Sequence, residues 1–318
     1  MKIQKIFIAE RRVRLDDFLR EQLPFCLKDF PPLSNSKIRR LIMAGAVFVN
    51  NKQCRKTAFE LQKNSRVFVQ LDTEKLFFEK TPNDIDFVLS DSDVLFFDDS
   101  LIVINKPPFI PTEDTIVATR KSVHSALIKY LWEKNPELKN PPYCGIMHRL
   151  DRETSGCLLF TLTRSVNPKI HDLFENHAVK KMYRAVCALP KNNHFVVGQT
   201  FSTEFFMGRT SAKSAKCKMG KIAQNTGGVY SRTDFCISGI NKNFAYIDCF
   251  PKTGRTHQIR LHLSSMGLPI VGDELYGSKV SLAEYNNRIM LHSALLEFIH
   301  PKTDSLISIK SPLPNGFF

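Results

Sequence analysis

Apolar residues in the first part of the chain follow helical spacing and then strand spacing. Four of them recur at helical intervals and predict one amphipathic helix: Leu15, Phe18, Leu19 and Leu23. A second helix is predicted over residues 37–44, and Ser34 or Ser36 can supply its cap. The apolar triplets 47–49 and 67–69 predict strands. We therefore expect a small domain of mixed helix and strand here.

The longer remaining part of the chain contains more predicted strands than helices. Residues 94–98 and 101–105 flank a turn and predict a hairpin, and Thr119, Ser165 and Thr256 can each cap a helix. Four further strands are predicted at 157–163, 181–189, 244–250 and 289–299. Because loops separate most of these strands, the pattern predicts an α+β fold with a largely antiparallel, mixed sheet. A doubly wound nucleotide-binding fold is disfavoured, since neither GxGxxG nor GxxxxGK[ST] follows a strand.

The distribution of charge places a boundary between these two parts. Residues 1–72 carry 15 basic and 7 acidic side chains, whereas residues 73–100 carry 2 basic and 8 acidic ones. An acidic stretch between two basic regions is typical of a linker. We predict a domain at 1–75, a linker at 76–92 and a second domain at 93–318.

The net charge narrows the class of partner. The chain carries 45 Lys and Arg against 31 Asp and Glu, a formal net charge of +14. Nucleic acid is the expected partner of so basic a protein, although charge alone equally fits a protein that is merely kept soluble. No stretch approaches the roughly 20 apolar residues of a membrane span, and the N-terminus has no long apolar core. We expect a cytoplasmic protein without a membrane partner.

Polar residues with possible chemistry are concentrated at 148–156, directly before a strongly apolar stretch. A catalytic metal and a Ser–His–Asp triad are both disfavoured, because HExxH and GxSxG are absent and arginines flank the candidate ligands. Asp151 stands between Arg149 and Arg152, and neighbouring cations favour an ionised carboxylate. Such a carboxylate can attack an electron-poor carbon, but a structural ion pair explains the pattern equally well.

The segment 148–156 resembles the HRLDxxTSG signature of the RluA-type RNA pseudouridine synthases. Further motifs of that family are matched, in the family's order, at 105–108, 181–185, 254–262, 271–277 and 291–294. The resemblance covers residues 94–300 and departs from the family pattern at 109–114 and 190–243. It implies a pseudouridine synthase catalytic domain, which converts a uridine within RNA to pseudouridine.

The resemblance also implies roles for single residues. Asp151 matches the family's essential aspartate, which acts on the sugar either as a nucleophile or by assisting removal of a sugar proton. Arg260 matches the arginine that pairs with this aspartate and orients it. Tyr183 matches the residue that stacks on the target base, close to the proton on carbon 5. No redox change or energy input is required, so we expect no cofactor and no metal.

Further residues are expected to bind RNA. On the same resemblance, Arg149 contacts the phosphate backbone or braces the flipped nucleotide, and Leu291 packs beneath the base. His257, within the matched 254–262 motif, is a third RNA-binding candidate.

The N-terminal segments 14–19, 36–42 and 45–50 resemble the S-four-type (alpha-L) RNA-binding module, with an insertion-like stretch at 24–32. Its predicted second helix carries Lys37, Arg39 and Arg40. These residues are expected to bind phosphate, because backbone N–H groups at a helix start also favour anions. A solvated basic face is the plainer alternative.

The basic N-terminal module favours large-subunit ribosomal RNA over transfer RNA as the target. A monomer is expected. The alternative from another functional class is a non-catalytic RNA-binding protein that keeps this scaffold.

Overall fold

The computed structural model describes residues 2–27, 33–72, 85–114, 121–192, 194–210 and 218–317. Thr119 and the side chains of Ser36 and Arg40 lie outside this description. The chain divides into two compact units, Met1–Pro82 and Asn83–Phe318. Among the described residues, no helix combines the length and the apolar character that a membrane span requires.

The described residues of the N-terminal unit form two helices and a small antiparallel sheet around an apolar core. The helices are α1 (Leu15–Cys26) and α2 (Asn35–Met43). The strands are β1 (Lys2–Ile8), β2 (Val13–Arg14), β3 (Val47–Val49), β4 (Lys52–Gln53), β5 (Glu60–Leu61) and β6 (Arg66–Asp72). One sheet has the order β1-β6-β3-β4, and β2 pairs with β5. The predicted mixture of helix and strand is confirmed, and all four apolar residues at helical spacing are buried on α1.

An ionic contact connects the two helices of this unit. Asp16 in the first turn of α1 is only 3% exposed, and it accepts two hydrogen bonds from Arg14, at 3.1 and 3.0 Å. Arg39 of α2 lies 3.7 Å from the same carboxylate. At the start of α2, the backbone N–H of Lys37 donates to Ser34 Oγ at 3.3 Å, so Ser34 is placed to cap this helix. Arg39 therefore has a structural partner inside its own unit.

The second unit contains one large sheet. Its strands are β7 (Val94–Phe97), β8 (Leu101–Lys106), β9 (Gly145–Ile146), β10 (Ser155–Thr161), β11 (Lys180–Ala188), β12 (Thr200–Arg209), β13 (Met219–Lys221), β14 (Val229–Asn241), β15 (Phe244–Pro251), β16 (Leu291–Ile299) and β17 (Leu306–Lys310). The main path runs β13-β12-β14-β15-β11-β16-β10-β8-β7, with β17 paired to β16 and β9 to β10. Only the β10–β16 pairing is parallel among the described strands. The predicted α+β class with a largely antiparallel, mixed sheet is confirmed.

In the described part of the second unit, three α-helices accompany this sheet: α3 (Val123–Glu133), α4 (Asn167–Glu175) and α5 (Gln258–Ser265). Short 3-10 helices occur at Asp91–Asp93, Arg164–Val166, Gln224–Thr226, Glu274–Tyr276 and Ala283–Tyr285. The helix predicted to follow Thr119 begins later, because Ser122 is its N-cap. The Ser122 hydroxyl accepts the backbone N–H of Ser125, and the Ser125 hydroxyl accepts the backbone N–H of Ser122. Thr256 is not the cap of α5; that position belongs to His257, whose backbone is left-handed at φ 56°.

Part of the predicted linker packs onto the second unit. Leu89 is 5% exposed and lies in the apolar cluster that also contains Ile104 and Phe160. The backbone N–H of Ile85 donates to the carbonyl of Phe109 at 3.2 Å. The chain thus belongs structurally to the second unit from residue 85 onward, earlier than the charge pattern indicates.

The parallel contact between β10 and β16 depends on Gly156. Gly156 is opposite Ser293 in the register and has φ +108°. A Cβ at this position would come within 2.2 Å of the Ser293 carbonyl oxygen. The two backbones can approach this closely only because residue 156 has no side chain.

We predict that Gly156→Ala destabilises the second unit by about 2 kcal/mol or more, because the methyl group forces β10 and β16 apart. Gly198→Ala is the matched control, since Gly198 also has a positive φ, +86°, but no atom within 4 Å of the added Cβ. That control should lose only about 1–2 kcal/mol of backbone strain. Urea unfolding of both variants measures the difference. Equal losses would show that contact with Ser293 is not what constrains residue 156.

Candidate active site

A cavity of about 1000 Å³ opens in the second unit. It is lined by the segment 146–152, by residues 253–260 around the start of α5, and by side chains of β11, α4 and β16. Strands β11, β16 and β10 are neighbours in the sheet, so these separate parts of the sequence meet at one place. The cavity contains most of the polar residues that the sequence analysis selects.

Arg260 joins two carboxylates at the base of the cavity. Its Nε and Nη2 donate to the two oxygens of Asp273, at 2.7 and 2.9 Å. Its Nη1 donates to Asp151 Oδ2 at 3.3 Å. Arg260 and Asp273 are 4% and 1% exposed, whereas the Asp151 side chain is 23% exposed. Asp273 therefore fixes the guanidinium in two places, and the remaining nitrogen is directed at the more open carboxylate.

The charge of Arg260 is well supported in this setting. Burial alone would lower its pKa, but the hydrogen bonds and charge of Asp273, together with the charge of Asp151, raise the pKa above its usual value. A bidentate contact of this kind combines charge assistance with fixed geometry. Arg260 consequently presents a permanent, oriented cation to Asp151.

His257 is the second neighbour of Asp151. Its Nε2 lies 3.9 Å from Asp151 Oδ2, and its Nδ1 is 3.0 Å from the hydroxyl of Tyr276. Burial lowers the pKa of His257, which favours the neutral ring. The Tyr276 hydroxyl also accepts the backbone N–H of Met219 at 2.9 Å. The contacts run from β13 through Tyr276 to His257, and they fix the imidazole beside the carboxylate.

Lys106 holds the loop that carries Asp151 through contacts to its backbone. It is fully buried, and its Nζ donates to three backbone carbonyls, those of Pro107 at 3.0 Å, Arg152 at 3.0 Å and Thr154 at 2.7 Å. Three acceptors match the three donors of an ammonium group. The carbonyls of Arg152 and Thr154 follow Asp151 directly, so Lys106 sets the path of the loop on that side.

The segment 109–114, which departs from the family pattern, holds the loop on its other side. Thr112 Oγ1 donates to the carbonyl of Leu150 at 2.9 Å and accepts the N–H of Leu150 at 3.2 Å. Glu113 forms an ion pair with Arg149. Asp151 is therefore fixed between Leu150, held by Thr112, and Arg152, held by Lys106.

Tyr183 and Leu291 form an apolar part of the cavity wall. Tyr183 lies opposite Ser293, beside an irregularity in the β11–β16 register, and hydrogen-bonds to the Ser293 side chain. Burial raises the pKa of the Tyr183 hydroxyl, so the phenol keeps its proton at neutral pH. Leu291 is 3% exposed at the start of β16. An aromatic face and an aliphatic side chain close to a carboxylate suit a flat, apolar-faced ligand such as a base.

Six of the predicted site residues line this one cavity: Arg149, Asp151, Tyr183, His257, Arg260 and Leu291. The predicted RNA-binding residues Lys37, Arg39 and Arg40 belong to the N-terminal unit. Of these, Arg39 contacts Asp16, and the Arg40 side chain lies outside the described residues.

Sequence reasoning assigned no role to several residues that shape the site. Asp273 stood in a matched motif, but a short polar motif gives no indication of which arginine it anchors. Arg288 gave no sequence signal at all: its Nη2 donates to Ser155 Oγ at 2.5 Å, and Ser155 Oγ is 2.7 Å from His292 Nδ1. Burial lowers the pKa of Arg288 to about 10. It connects the starts of β10 and β16 through Ser155 and the carbonyl of Leu291.

One group with metal-ligand geometry occurs in the described part of the chain: His171, Asp172 and Glu175. All three are exposed on α4, and the group does not include Asp151. Exposed acidic side chains with this spacing are common on helices, so we assign no metal to them.

The family model and the relatives that this chain matches all describe RNA pseudouridine synthases. The model of the family described as RNA pseudouridylate synthase matches residues 100–265. An uncharacterised RNA pseudouridine synthase of Helicobacter pylori is 30% identical over 317 residues, covering 98% of this chain and 90% of that protein. The ribosomal large subunit pseudouridine synthase C of Escherichia coli is 30% identical over 324 residues, covering 99% and 94%. The ribosomal large subunit pseudouridine synthase D of Neisseria meningitidis is 29% identical over 301 residues, covering 92% and 75%.

Solved structures share the fold. Human RNA pseudouridylate synthase domain containing 4 superposes with a TM-score of 0.56 at 21% identity, covering 71% of this chain and 90% of that one. Human RNA pseudouridylate synthase domain containing 1 gives a TM-score of 0.52 at 21% identity, covering 71% and 86%.

The buried ammonium of Lys106 predicts a pH-dependent stability. Burial lowers the pKa of Lys106 to about 7 in the folded chain, whereas an unfolded lysine titrates at about 10.4. Between these values the unfolded chain binds more protons, so this residue makes the free energy of unfolding rise with pH. Lys106→Met removes the contribution, and its stability should rise less than that of wild type between about pH 7 and about pH 9.

Urea unfolding at both pH values measures this difference. Lys129→Met is the control, because Lys129 is exposed on α3 and pairs with Glu133; it should keep the wild-type response. Equal changes in stability for wild type and Lys106→Met between these pH values would show that the three carbonyls hold the ammonium charged throughout.

Proposed function

Because the chain belongs to the RluA-type family of RNA pseudouridine synthases, which are isomerases, we propose that it converts a uridine of large-subunit ribosomal RNA to pseudouridine through Asp151. The observation that carries the assignment of Asp151 is its contact with Arg260. Asp151 is the more exposed of the two carboxylates that share this guanidinium, and it faces the cavity. The buried partner Asp273 has no room to meet a substrate.

The reaction is a balanced isomerisation. The bond from uracil N1 to the sugar C1′ breaks, the base turns, and a bond forms from carbon 5 to C1′, while the carbon-5 proton is lost and N1 gains a proton. Asp151 acts on the sugar, either by attack on C1′ or by assisting removal of a sugar proton. No electrons enter or leave, so the chemistry calls for no redox cofactor. Arg260 orients the carboxylate for either route.

Tyr183 would stack on the uracil with its ring and reach the carbon-5 proton through its hydroxyl. Its raised pKa makes the phenol a proton donor and relay rather than a resting base at neutral pH. Leu291 lies in the same wall of the cavity and would support the other part of the base. The target nucleotide must leave its stack to reach Asp151, at a cost of a few kcal/mol that contacts in the cavity offset.

Arg149 and His257 would complete the binding of the flipped nucleotide. Arg149 lies at the cavity mouth, where its partner Glu113 can be exchanged for a backbone phosphate of the RNA. His257, neutral and fixed by Tyr276, can hydrogen-bond to the sugar or the base through Nε2. Both roles concern recognition and leave the bond changes to Asp151.

Ribosomal RNA is preferred as the target for two reasons. Two of the relatives described above carry the name ribosomal large subunit pseudouridine synthase, and their similarity extends over nearly the whole chain. The N-terminal unit, proposed here to be an S-four-type RNA-binding domain, supplies a second basic surface of the kind that structured RNA recruits. Transfer RNA is the alternative substrate, and non-catalytic RNA binding is the alternative function.

Asp151→Asn is predicted to abolish pseudouridine formation while RNA binding stays close to wild type. The amide keeps the shape of the carboxylate and loses its charge, so Arg260 has nothing to orient for attack. Pseudouridine is measured in ribosomal RNA from a strain that lacks the protein, incubated with each variant. Asp172→Asn, which removes an exposed carboxylate on α4, serves as the control and should retain full activity. Substantial turnover by Asp151→Asn would refute the assignment of this residue.

Tyr183→Phe separates stacking from proton transfer. If the hydroxyl relays the carbon-5 proton, the single-turnover rate should fall by roughly 10²–10⁴, the usual range for general acid–base catalysis. RNA affinity should change little, since the ring remains. A rate near wild type would leave stacking as the only contribution of this side chain.

The proposed RNA-binding role of α2 is tested by Lys37→Ala combined with Arg40→Ala. Arg39 is left in place because it contacts Asp16. Loss of two phosphate contacts should flatten the slope of log affinity against log salt by about 1.4 for single-stranded RNA. Lys52→Ala combined with Arg66→Ala removes the same charge from exposed strand positions of the same unit and should have a smaller effect. Identical slopes for both pairs would show that α2 is not the RNA path.

A further inference from the structure

The basic residues of the cavity differ in whether another group of the protein pairs with their charge or accepts their hydrogen bonds. Arg260 is held by Asp273 and Asp151, Arg149 by Glu113, and Arg152 by Glu153 at 3.0 Å. Arg255 donates to the carbonyl of Tyr230 at 3.2 Å. Each of these arginines therefore has an internal acceptor before any RNA arrives.

Lys181 lines the same cavity and has no such acceptor. Within the described parts of the chain, no carboxylate lies in ion-pair distance of its ammonium, and no hydrogen bond to it is formed. The side chain is nevertheless partly buried, and burial lowers the pKa of Lys181 without a compensating anion. A desolvated cation without a counter-charge destabilises the free protein, so a residue of this kind is expected where a ligand supplies the missing charge.

The position of Lys181 indicates which part of the substrate would meet it. It precedes Tyr183 by two residues on β11, so both side chains face the cavity. Gly254 borders the ammonium: a Cβ there would lie 4.0 Å from Lys181 Nζ and meet nothing else. The space beside the ammonium at Gly254 is therefore open.

We propose that Lys181 binds a phosphodiester group of the RNA backbone next to the flipped nucleotide, and so supplies a substrate-binding residue to the site. The inference rests on the proposed function for the identity of the ligand. The base and sugar lie at Tyr183 and Asp151, and the adjoining phosphate reaches the ammonium beyond Tyr183. The RNA completes the ion pair that the protein leaves open.

The test compares Lys181→Met, Lys181→Arg and Lys180→Met in the full chain. Lys180 is the matched control, because it is the neighbouring residue on the same strand but is exposed and pairs with Glu297 at 2.7 Å. RNA affinity is measured across a salt series with a ribosomal RNA fragment that contains the modified uridine. Loss of one phosphate contact should flatten the slope of log affinity against log salt by about 0.7 in Lys181→Met. Lys181→Arg and Lys180→Met should keep the wild-type slope.

Kinetics and stability give two further readouts. Lys181→Met should raise KM with little change in kcat, as expected when a contact is made equally in the ground state and the transition state. Its thermal stability should equal or exceed that of wild type, because an uncompensated charge has been removed. A destabilised variant with an unchanged salt slope would overturn the proposal and make Lys181 a structural residue. A fall in kcat with an unchanged slope would also overturn it, since the lysine would then act on the base or the chemistry.

RNA in which single phosphates are replaced by methylphosphonate identifies which phosphate Lys181 contacts. Methylphosphonate at each position flanking the target uridine removes one charge at a time. The position that weakens wild-type binding should have no further effect in Lys181→Met, because the two changes remove the same contact. Additive effects at every position would refute the pairing. Wild-type turnover on the unmodified fragment tests the proposed function separately, so the failure of one conclusion is distinguishable from the failure of the other.

Discussion

The geometry of the site depends on one guanidinium that two carboxylates share. A buried ion pair stabilises only when its geometry is good and its remaining donors are satisfied. Asp273 meets that condition with two short contacts to Arg260, and the third donor is left for Asp151. The start of α5 is fixed by Gln258, whose Oε1 accepts the N–H of Arg255 at 3.0 Å and the hydroxyl of Thr253 at 2.6 Å. Arg260 follows this anchored turn by two residues, which makes its direction reproducible.

In addition to the contact of its side chain with Arg260, Asp151 is positioned by contacts to the backbone on either side of it. Lys106 satisfies the carbonyls after Asp151, and Thr112 binds both backbone groups of Leu150 before it. Gly156 lets the strand that follows approach β16 closely. A loop with its polar groups satisfied in this way has few alternative conformations. Asp151 can therefore be partly exposed to the cavity and still have a fixed direction, as the catalytic role that we propose for it requires.

The helices and the strands β8 and β10 could be predicted, because apolar residues on α1 have helical spacing and β8 and β10 are nearly continuous runs of buried residues. Strands β12, β13 and β14 were not predicted. The caps of α3 and α5 could not, since Ser122 and His257 compete with nearby residues of similar chemistry and tertiary contacts decide between them. Within the site, the pairing of Arg260 with Asp151 followed from a family motif. The larger contribution of Asp273 did not, because it depends on a contact between a helix and a loop 13 residues later. No local pattern distinguishes that contact from a surface ion pair.

The contact of Arg260 with Asp151 also bears on how a carboxylate can act beside a polyanion. A polyanion close to Asp151 repels the carboxylate, so a site that brings RNA to an aspartate must offset this repulsion in advance. Cations fixed by the protein do so without reorganising when the substrate arrives, which is the condition for electrostatic preorganisation. Arg260 provides this through its direct contact with Asp151. Cations that were free to follow the phosphates would move away from Asp151 at the moment they were needed. The contact of Arg260 with Asp151 thus serves the carboxylate chemistry that we propose, whereas net charge alone would account only for binding.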